Sequence, residues 1–213
     1  MTYTGETTPD TRQLSGLEIT KLSVGPMDNN AYLLRSRATG ERLLIDAAND
    51  ADRLMDLLGD DGLGTVVTTH RHGDHWQALQ AVIDTTGARS VAHSADAEEI
   101  PVVTETVEDG DTITFGDITL EVIHIVGHTP GSIALVYRDP DGHPHLWTGD
   151  SLFPGGVGNT QKDADRFASL IDDVERKLFD RLPDDTWFYP GHGKDSTLGA
   201  ERASLPEWRE RGW

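Results

Sequence analysis

The segment Thr69-His70-Arg71-His72-Gly73-Asp74-His75-Trp76 constrains this chain more than any other stretch of it. Three histidines and an aspartate fall within six positions, directly after the short apolar run at residues 64–69, which reads as a buried strand. Polar side chains gathered at the end of a buried strand are costly unless something pairs with them, and a metal ion does so directly. Residues i and i+2 at the end of a strand point the same way, so His70 and His72 can face one ion. Gly73 allows a sharp turn, after which Asp74 and His75 open a helix and can face a second ion. Imidazole and carboxylate are ordinary Zn²⁺ ligands.

Three shorter motifs repeat one pattern: a ligand-capable side chain beside glycine after a predicted strand. They are His128 in GHTPGS (127–132), Asp150 in TGDSLF (148–153) and His192 in PGHG (190–193). Each is weak alone, since an Asp in a turn is commonly a cap. Together they describe strand ends gathered on one edge, where sites form. Period-two patterning predicts strands at 17–24, 30–36, 42–46, 64–69, 89–93, 111–115, 118–125, 132–138, 145–148 and 186–189. Helical spacing predicts helices at 51–58, 76–84, 163–182 and 199–203, the third with apolar residues at Phe167, Leu170, Ile171, Val174, Leu178 and Phe179. Hairpins in two groups, with helices between and after, predict two packed sheets with helices outside.

Composition narrows the chemistry. The chain has 213 residues, a net charge of −19 and no cysteine. The charge opposes a broad electrostatic hold on nucleic acid or anionic lipid. Without cysteine there is no disulfide, thiolate ligand or cysteine nucleophile, so any metal falls to His, Asp or Glu. The first 13 residues lack the basic and apolar regions of a signal peptide. No stretch approaches the roughly 20 apolar residues of a membrane span. The expectation is a cytoplasmic protein with a flexible N-terminal arm over residues 1–15 and one domain over 16–213. It acts on a small molecule, without nucleic-acid or membrane partners, and a homo-oligomer is compatible with the sequence.

The four motifs, in this order, resemble the metallo-β-lactamase fold superfamily of metal-dependent hydrolases, and the likeness runs from Leu17 onward. GHTPGS followed by GDSLFPGG is most similar to its glyoxalase II (hydroxyacylglutathione hydrolase-like) group of thioesterases. The resemblance implies an α/β (α+β) fold, a four-layer αββα sandwich of two mixed β-sheets with outer helices. It implies two divalent ions, Zn²⁺ foremost, with Fe or Mn also suited to such ligands. His70, His72 and His128 take the first site, Asp74, His75 and His192 the second, and Asp150 bridges them. A metal-bridging hydroxide, oriented by Asp74, would then attack a thioester carbonyl. Other members suggest alternatives: a persulfide dioxygenase with one Fe²⁺ on His70, His128 and Asp150, an ester or lactone hydrolase, a nuclease, or an inactive metal-holding module. The net charge speaks against the nuclease. Glyoxalase II enzymes carry a helical C-terminal domain that helps hold glutathione, whereas 63 residues follow Asp150 here. Asn159 stands where relatives often place Arg or Lys.

The remaining polar and aromatic residues carry narrower expectations. Asp46, closing a strand, is a turn cap or orients a ligand imidazole. Phe153 and Tyr189 wall the pocket or pack the core. His93 and His124 are hydrogen-bonded strand histidines, while His143 and His145 flank a turn and are expected to be exposed. Trp76, Trp147 and Trp187 pack the interior. Trp208 and Trp213 dock the C-terminus onto the body or onto an oligomer partner.

Overall fold

The computed structural model describes residues 8–212. Its strands are β1 (Asp10–Gln13), β2 (Leu17–Val24), β3 (Asn29–Ser36), β4 (Arg42–Ile45), β5 (Thr65–Val67), β6 (Arg89–His93), β7 (Glu105–Val107), β8 (Thr112–Phe115), β9 (Ile118–His124), β10 (Ile133–Arg138), β11 (Pro144–Gly149), β12 (Leu152–Phe153), β13 (Gly156–Val157), β14 (Trp187–Pro190) and β15 (Ser196–Thr197). Its α-helices are α1 (Ala51–Leu58), α2 (Leu79–Thr86), α3 (Ser94–Ala97), α4 (Ala164–Asp173), α5 (Leu198–Arg202) and α6 (Leu205–Arg211). The first sheet runs β1 to β7 in chain order, antiparallel through β4 and parallel from β4 to β7. The second runs β15-β14-β11-β10-β9-β8, with a single parallel pair, β11 with β14. β12 and β13 form a separate ribbon.

Strand periodicity produces the layers. Alternate residues of a strand face opposite sides. In β2, Leu17 and Ile19 face the second sheet while Leu22 and Val24 face outward, and in β10 Ile133, Leu135 and Tyr137 face inward while Ala134 and Val136 face outward. Both faces are buried, so three apolar clusters form. One lies between the sheets, one under α1 and α2 with Leu54, Leu58, Leu79 and Val82, and one under α4 and α6 with Leu170, Ile171 and Trp208. The result is the αββα sandwich that the sequence leads one to expect.

Several expectations need correction. Residues 10–13, assigned to the flexible arm, are an edge strand whose backbone pairs with residues 18–21 of β2. Residues 1–7 and Trp213 lie outside the described residues. The helix expected at 76–84 starts only at Leu79, because residues 73–75 form a 3₁₀ turn. The helix expected at 163–182 is α4 continued by a π-helical segment, Val174–Phe179. That wider turn leaves the consecutive residues Leu178 and Phe179 both in the core. His145 is fully buried rather than exposed, with its Nδ1 2.9 Å from the Tyr189 hydroxyl. Its place in β11, inside the second sheet, outweighs the nearby turn.

Trp208 docks the C-terminal helix onto the body. It is 1% exposed, with its ring edge-on to Phe179 at 6.3 Å. Arg209 reinforces the contact through Asp172 and Glu175. Trp208→Ala should therefore destabilise the protein by ~3–5 kcal/mol, the usual cost of emptying a buried aromatic site. Chemical denaturation measures this, and a change under 1 kcal/mol, as for ordinary surface substitutions, would place Trp208 outside the core.

Candidate metal centre

Loops from both sheets deliver the polar side chains to one edge of the sandwich. The β5 strand ends at Val67, so His70 and His72 are carried by the loop after it rather than by the strand itself. Their rings nevertheless lie 4.8 Å apart and meet that of His128 at 4.8 and 4.6 Å. Asp74 and His75 stand on the 3₁₀ turn. His128 follows β9, Asp150 follows β11 and His192 follows β14. Gly73, which the sequence reads as allowing a sharp turn, is outside the left-handed region, and a Cβ there would touch only the Trp76 ring at an ordinary 3.7 Å. The glycines that matter are Gly191 and Gly158. A Cβ on Gly191 would fall 2.2 Å from Asp150 Oδ1, and one on Gly158 would fall 1.8 Å from the Asp150 carbonyl oxygen.

The seven expected ligand residues come together. Three groups bring ligand atoms within 4.8 Å of one another: His70–His72–His128, His70–His75–Asp150 and Asp74–His75–His192. Asp150 reaches toward both sides, with Oδ1 3.4 Å from His75 Nε2, and Oδ2 3.7 Å from His128 Nε2 and 3.5 Å from His192 Nε2. Asp74 Oδ2 lies 3.3 Å from His192 Nε2.

Four imidazoles are held from behind. His75 Nδ1 meets Asp46 Oδ2 at 2.8 Å, His128 Nδ1 the Asn159 carbonyl at 2.9 Å, His192 Nδ1 the Met27 carbonyl at 2.9 Å, and His70 Nδ1 the Thr69 hydroxyl at 3.1 Å. That hydroxyl donates to Asp46 Oδ2, and Asp46 Oδ1 accepts the Thr69 amide. Such partners fix ring orientation and turn each Nε2 toward the centre. Asp46 thus fills the orienting role, not that of a simple cap. Phe153 reaches the rim, its ring 6.3 Å from that of His192. Asn159 contributes through its backbone, with an exposed side chain. Tyr189 does not wall the site: it is 2% exposed in the core, stacked on Trp147. His93 and His124 stack on each other away from the ligands, and His124 Nε2 faces the Pro130 carbonyl at 2.7 Å.

Sequence reasoning missed Asn29, which is buried and donates from Nδ2 to Asp74 Oδ2 at 2.9 Å. It also missed Asn30, which ties β3 to the Pro190 and Gly193 carbonyls around His192. Two adjacent asparagines opening an otherwise apolar strand were the available signal.

The donor set fits divalent cations. His75 Nε2 and Asp150 Oδ1 are buried without hydrogen-bond partners, and so is Asn29 Oδ1. Burial, with His75 nearby, holds His70 well below its usual pKa, and burial lowers His128 to about 4, so both imidazoles are neutral and ready to coordinate. Burial opposes ionisation of Asp150, but the imidazoles of His75 and His192 outweigh it and keep the carboxylate charged. The hydrogen bond with His192 holds Asp74 far below the carboxylate range. His192 shows the reverse: burial disfavours its cation, yet Asp150 and Asp74 raise its pKa to about 10.

Without metal, His192 therefore carries a proton at neutral pH, and an incoming cation must displace it. His75 adds a second such proton, since Asp46 and Asp150 raise its pKa well above the usual value against burial, so apparent metal affinity should rise with pH by more than the ~tenfold per unit that His192 alone contributes up to about 10. The linked stability has the opposite slope. Because the folded pKa is raised, the His192 contribution is complete below 6.5 and is lost as pH rises through about 10. Calorimetric titration in buffers of different ionisation enthalpy counts the released protons, and no release at pH 8 would contradict this.

A family model described as the metallo-beta-lactamase superfamily matches residues 24–192, and so spans every residue of the centre. The chain belongs to the metallo-beta-lactamase superfamily. It is 37% identical over 167 residues to the hydroxyacylglutathione hydrolase of Polaromonas sp. (strain JS666 / ATCC BAA-500), covering 77% of this chain and 62% of that protein. Among solved structures, ETHE1 from Myxococcus xanthus superposes with a TM-score of 0.79 at 29% identity, covering 90% of this chain and 84% of that one. TTHA1623 in a di-iron-bound form gives 0.73 at 29% identity, covering 88% and 98%. Among the described residues, no helix is long and apolar enough to cross a membrane.

Proposed function

We propose that this superfamily hydrolase holds two divalent ions and cleaves a thioester to a carboxylic acid and a thiol, in the manner of the glyoxalase II group. The observation that carries the proposal is one shared carboxylate, Asp150, within reach of imidazoles from two ligand groups. The 37% identity to a hydroxyacylglutathione hydrolase points to the thioester, and the di-iron form of TTHA1623 supports the count of two. His70, His72 and His128 would hold one ion, Asp74, His75 and His192 the other, with Asp150 shared. When bound, such ions polarise a carbonyl and lower the pKa of water toward neutrality.

The chain's own groups do the rest. Asp74, kept ionised and steadied by Asn29, orients the attacking water. A thiolate leaves without needing a dedicated general acid. Phe153 gives the rim an apolar wall. Behind Asn159, whose carbonyl holds His128 Nδ1, a cavity of about 630 Å³ opens between Asn159, Lys162, Phe167 and Arg211, within the size range of small-molecule sites but lined by none of the candidate ligands. Zn²⁺ suits the His and carboxylate donors, and Fe or Mn would as well.

A panel of thioesters, assayed by thiol release, tests the proposal. The chain has no cysteine, so the protein adds no thiol background. Turnover of at least one thioester, lost on chelation and restored by a divalent metal, is expected. Turnover confined to oxygen esters or lactones would move the substrate class, and no turnover by fully loaded protein would overturn hydrolysis.

A further inference from the structure

Asp96 belongs to neither ligand group, is 1% exposed and sits on α3. Its carboxylate serves two loops. Oδ2 accepts the Arg71 amide at 3.0 Å and the Thr129 hydroxyl at 2.6 Å, and Oδ1 accepts the Gly131 amide at 2.8 Å. The Arg71 guanidinium lies 3.8 Å from Oδ1 and continues to Glu99. Arg71 separates His70 from His72, and Thr129 follows His128. The first loop hangs from β5 in one sheet, and the second from β9 in the other.

His70, His72 and His128 therefore meet across the seam between the sheets. Asp96 joins the two loops through the Arg71 amide between His70 and His72, and through the Thr129 hydroxyl and the Gly131 amide, one and three residues after His128. The fit is close: a Cβ on Gly131 would lie 2.7 Å from the Asp96 amide nitrogen and 2.8 Å from its Cβ. The other group is steadied by different residues, Asp46 behind His75, Asn29 behind Asp74 and the Met27 carbonyl behind His192.

We propose that Asp96 is a positioning residue that sets the His70–His72–His128 group selectively, by fixing the register of one loop against the other. The proposal rests on the two-ion reading above. Only an ionised carboxylate has enough lone pairs, without a competing donor, to accept from all three partners. Asp96→Asn keeps the size but turns N–H groups toward at least one of those donors. Coordination tolerates ligand displacements of only ~0.2 Å, so a small slip between the loops weakens this group while leaving the other intact.

Zn²⁺ titration of metal-free protein against a chromophoric chelator tests this in two backgrounds. His192→Ala isolates the His70–His72–His128 group, and His72→Ala isolates the other. Asp96→Asn should weaken Zn²⁺ binding ~10–100-fold in the His192→Ala background, the size expected when a ligand loses its support. It should leave binding in the His72→Ala background unchanged. Equal weakening in both would mark a general loosening of the fold and overturn the role, and so would no weakening in either. If Asp96→Asn does not fold, Thr129→Val removes one of the three partners. The same selectivity at smaller amplitude is then expected, and an unselective loss overturns the role. Unsubstituted protein titrated alongside separates the two claims. Failure to bind two ions removes the two-ion reading and this proposal with it, whereas two ions with an unselective variant overturns the Asp96 role alone.

Discussion

Asp150→Ala should weaken both ions together, by at least ~100-fold each, since even residues supporting a ligand from behind cost 10–100-fold. Thioester turnover should fall with them by at least ~10³-fold. The reason is positional: the carboxylate faces His75 with one oxygen, and His128 and His192 with the other. Among the described residues His72 joins only the His70–His72–His128 group, so His72→Ala should cost one ion while the Asp74–His75–His192 group keeps its own. Metal analysis after dialysis distinguishes the two patterns, and loss of a single ion from Asp150→Ala would show that it does not bridge. A second readout needs no metal. His192 titrates at about 10 because Asp150 and Asp74 stabilise its cation against burial, so in metal-free Asp150→Ala its midpoint should move down toward 6.5. Imidazole NMR follows that shift, and an unmoved midpoint would contradict the charge arrangement.

Asp46→Ala should be the most damaging substitution for the fold around the centre. The carboxylate is 2% exposed and serves three donors: the Thr69 amide, the Thr69 hydroxyl and His75 Nδ1. Removing it strands buried polar groups, one of them an imidazole whose cation Asp46 and Asp150 support against burial. The backbone adds to the effect, since Asp46 has φ of 58° and an alanine there is strained. Losing one partner of a buried charged pair costs ~3–5 kcal/mol. Metal-free protein should lose that much by chemical denaturation. Loss of metal affinity without loss of stability would confine Asp46 to tuning the ligands.

The candidate ligands were legible because coordination would demand particular side chains, and each of the four motifs places at least one beside glycine after a strand. What holds the ligands was not. Asn29 reaches Asp74 across 45 positions, and Asp96 reaches Gly131 across 35. Neither separation leaves a local pattern, and both residue types are common in turns. Backbone carbonyls such as those of Met27 and Asn159 have no sequence signature. The two sheets were legible from alternation, but β1, with the sequence DTRQ, offers no apolar face and is held by pairing with β2. His145 misleads, and Tyr189 reads as either pocket wall or core, for a related reason. Their neighbours look like a turn and a ligand motif, yet β11 and β14 pair inside the second sheet and bury both.

The proposed hydrolase depends on one shared carboxylate, Asp150, joining two metal groups. Metal quantification on the purified chain, paired with thiol release by the same sample, tests it most directly. Two divalent ions per chain, with turnover that disappears when they are stripped and returns when they are restored, is the expected result. One iron per chain, with oxygen consumed on a persulfide and no thioester cleaved, would contradict it.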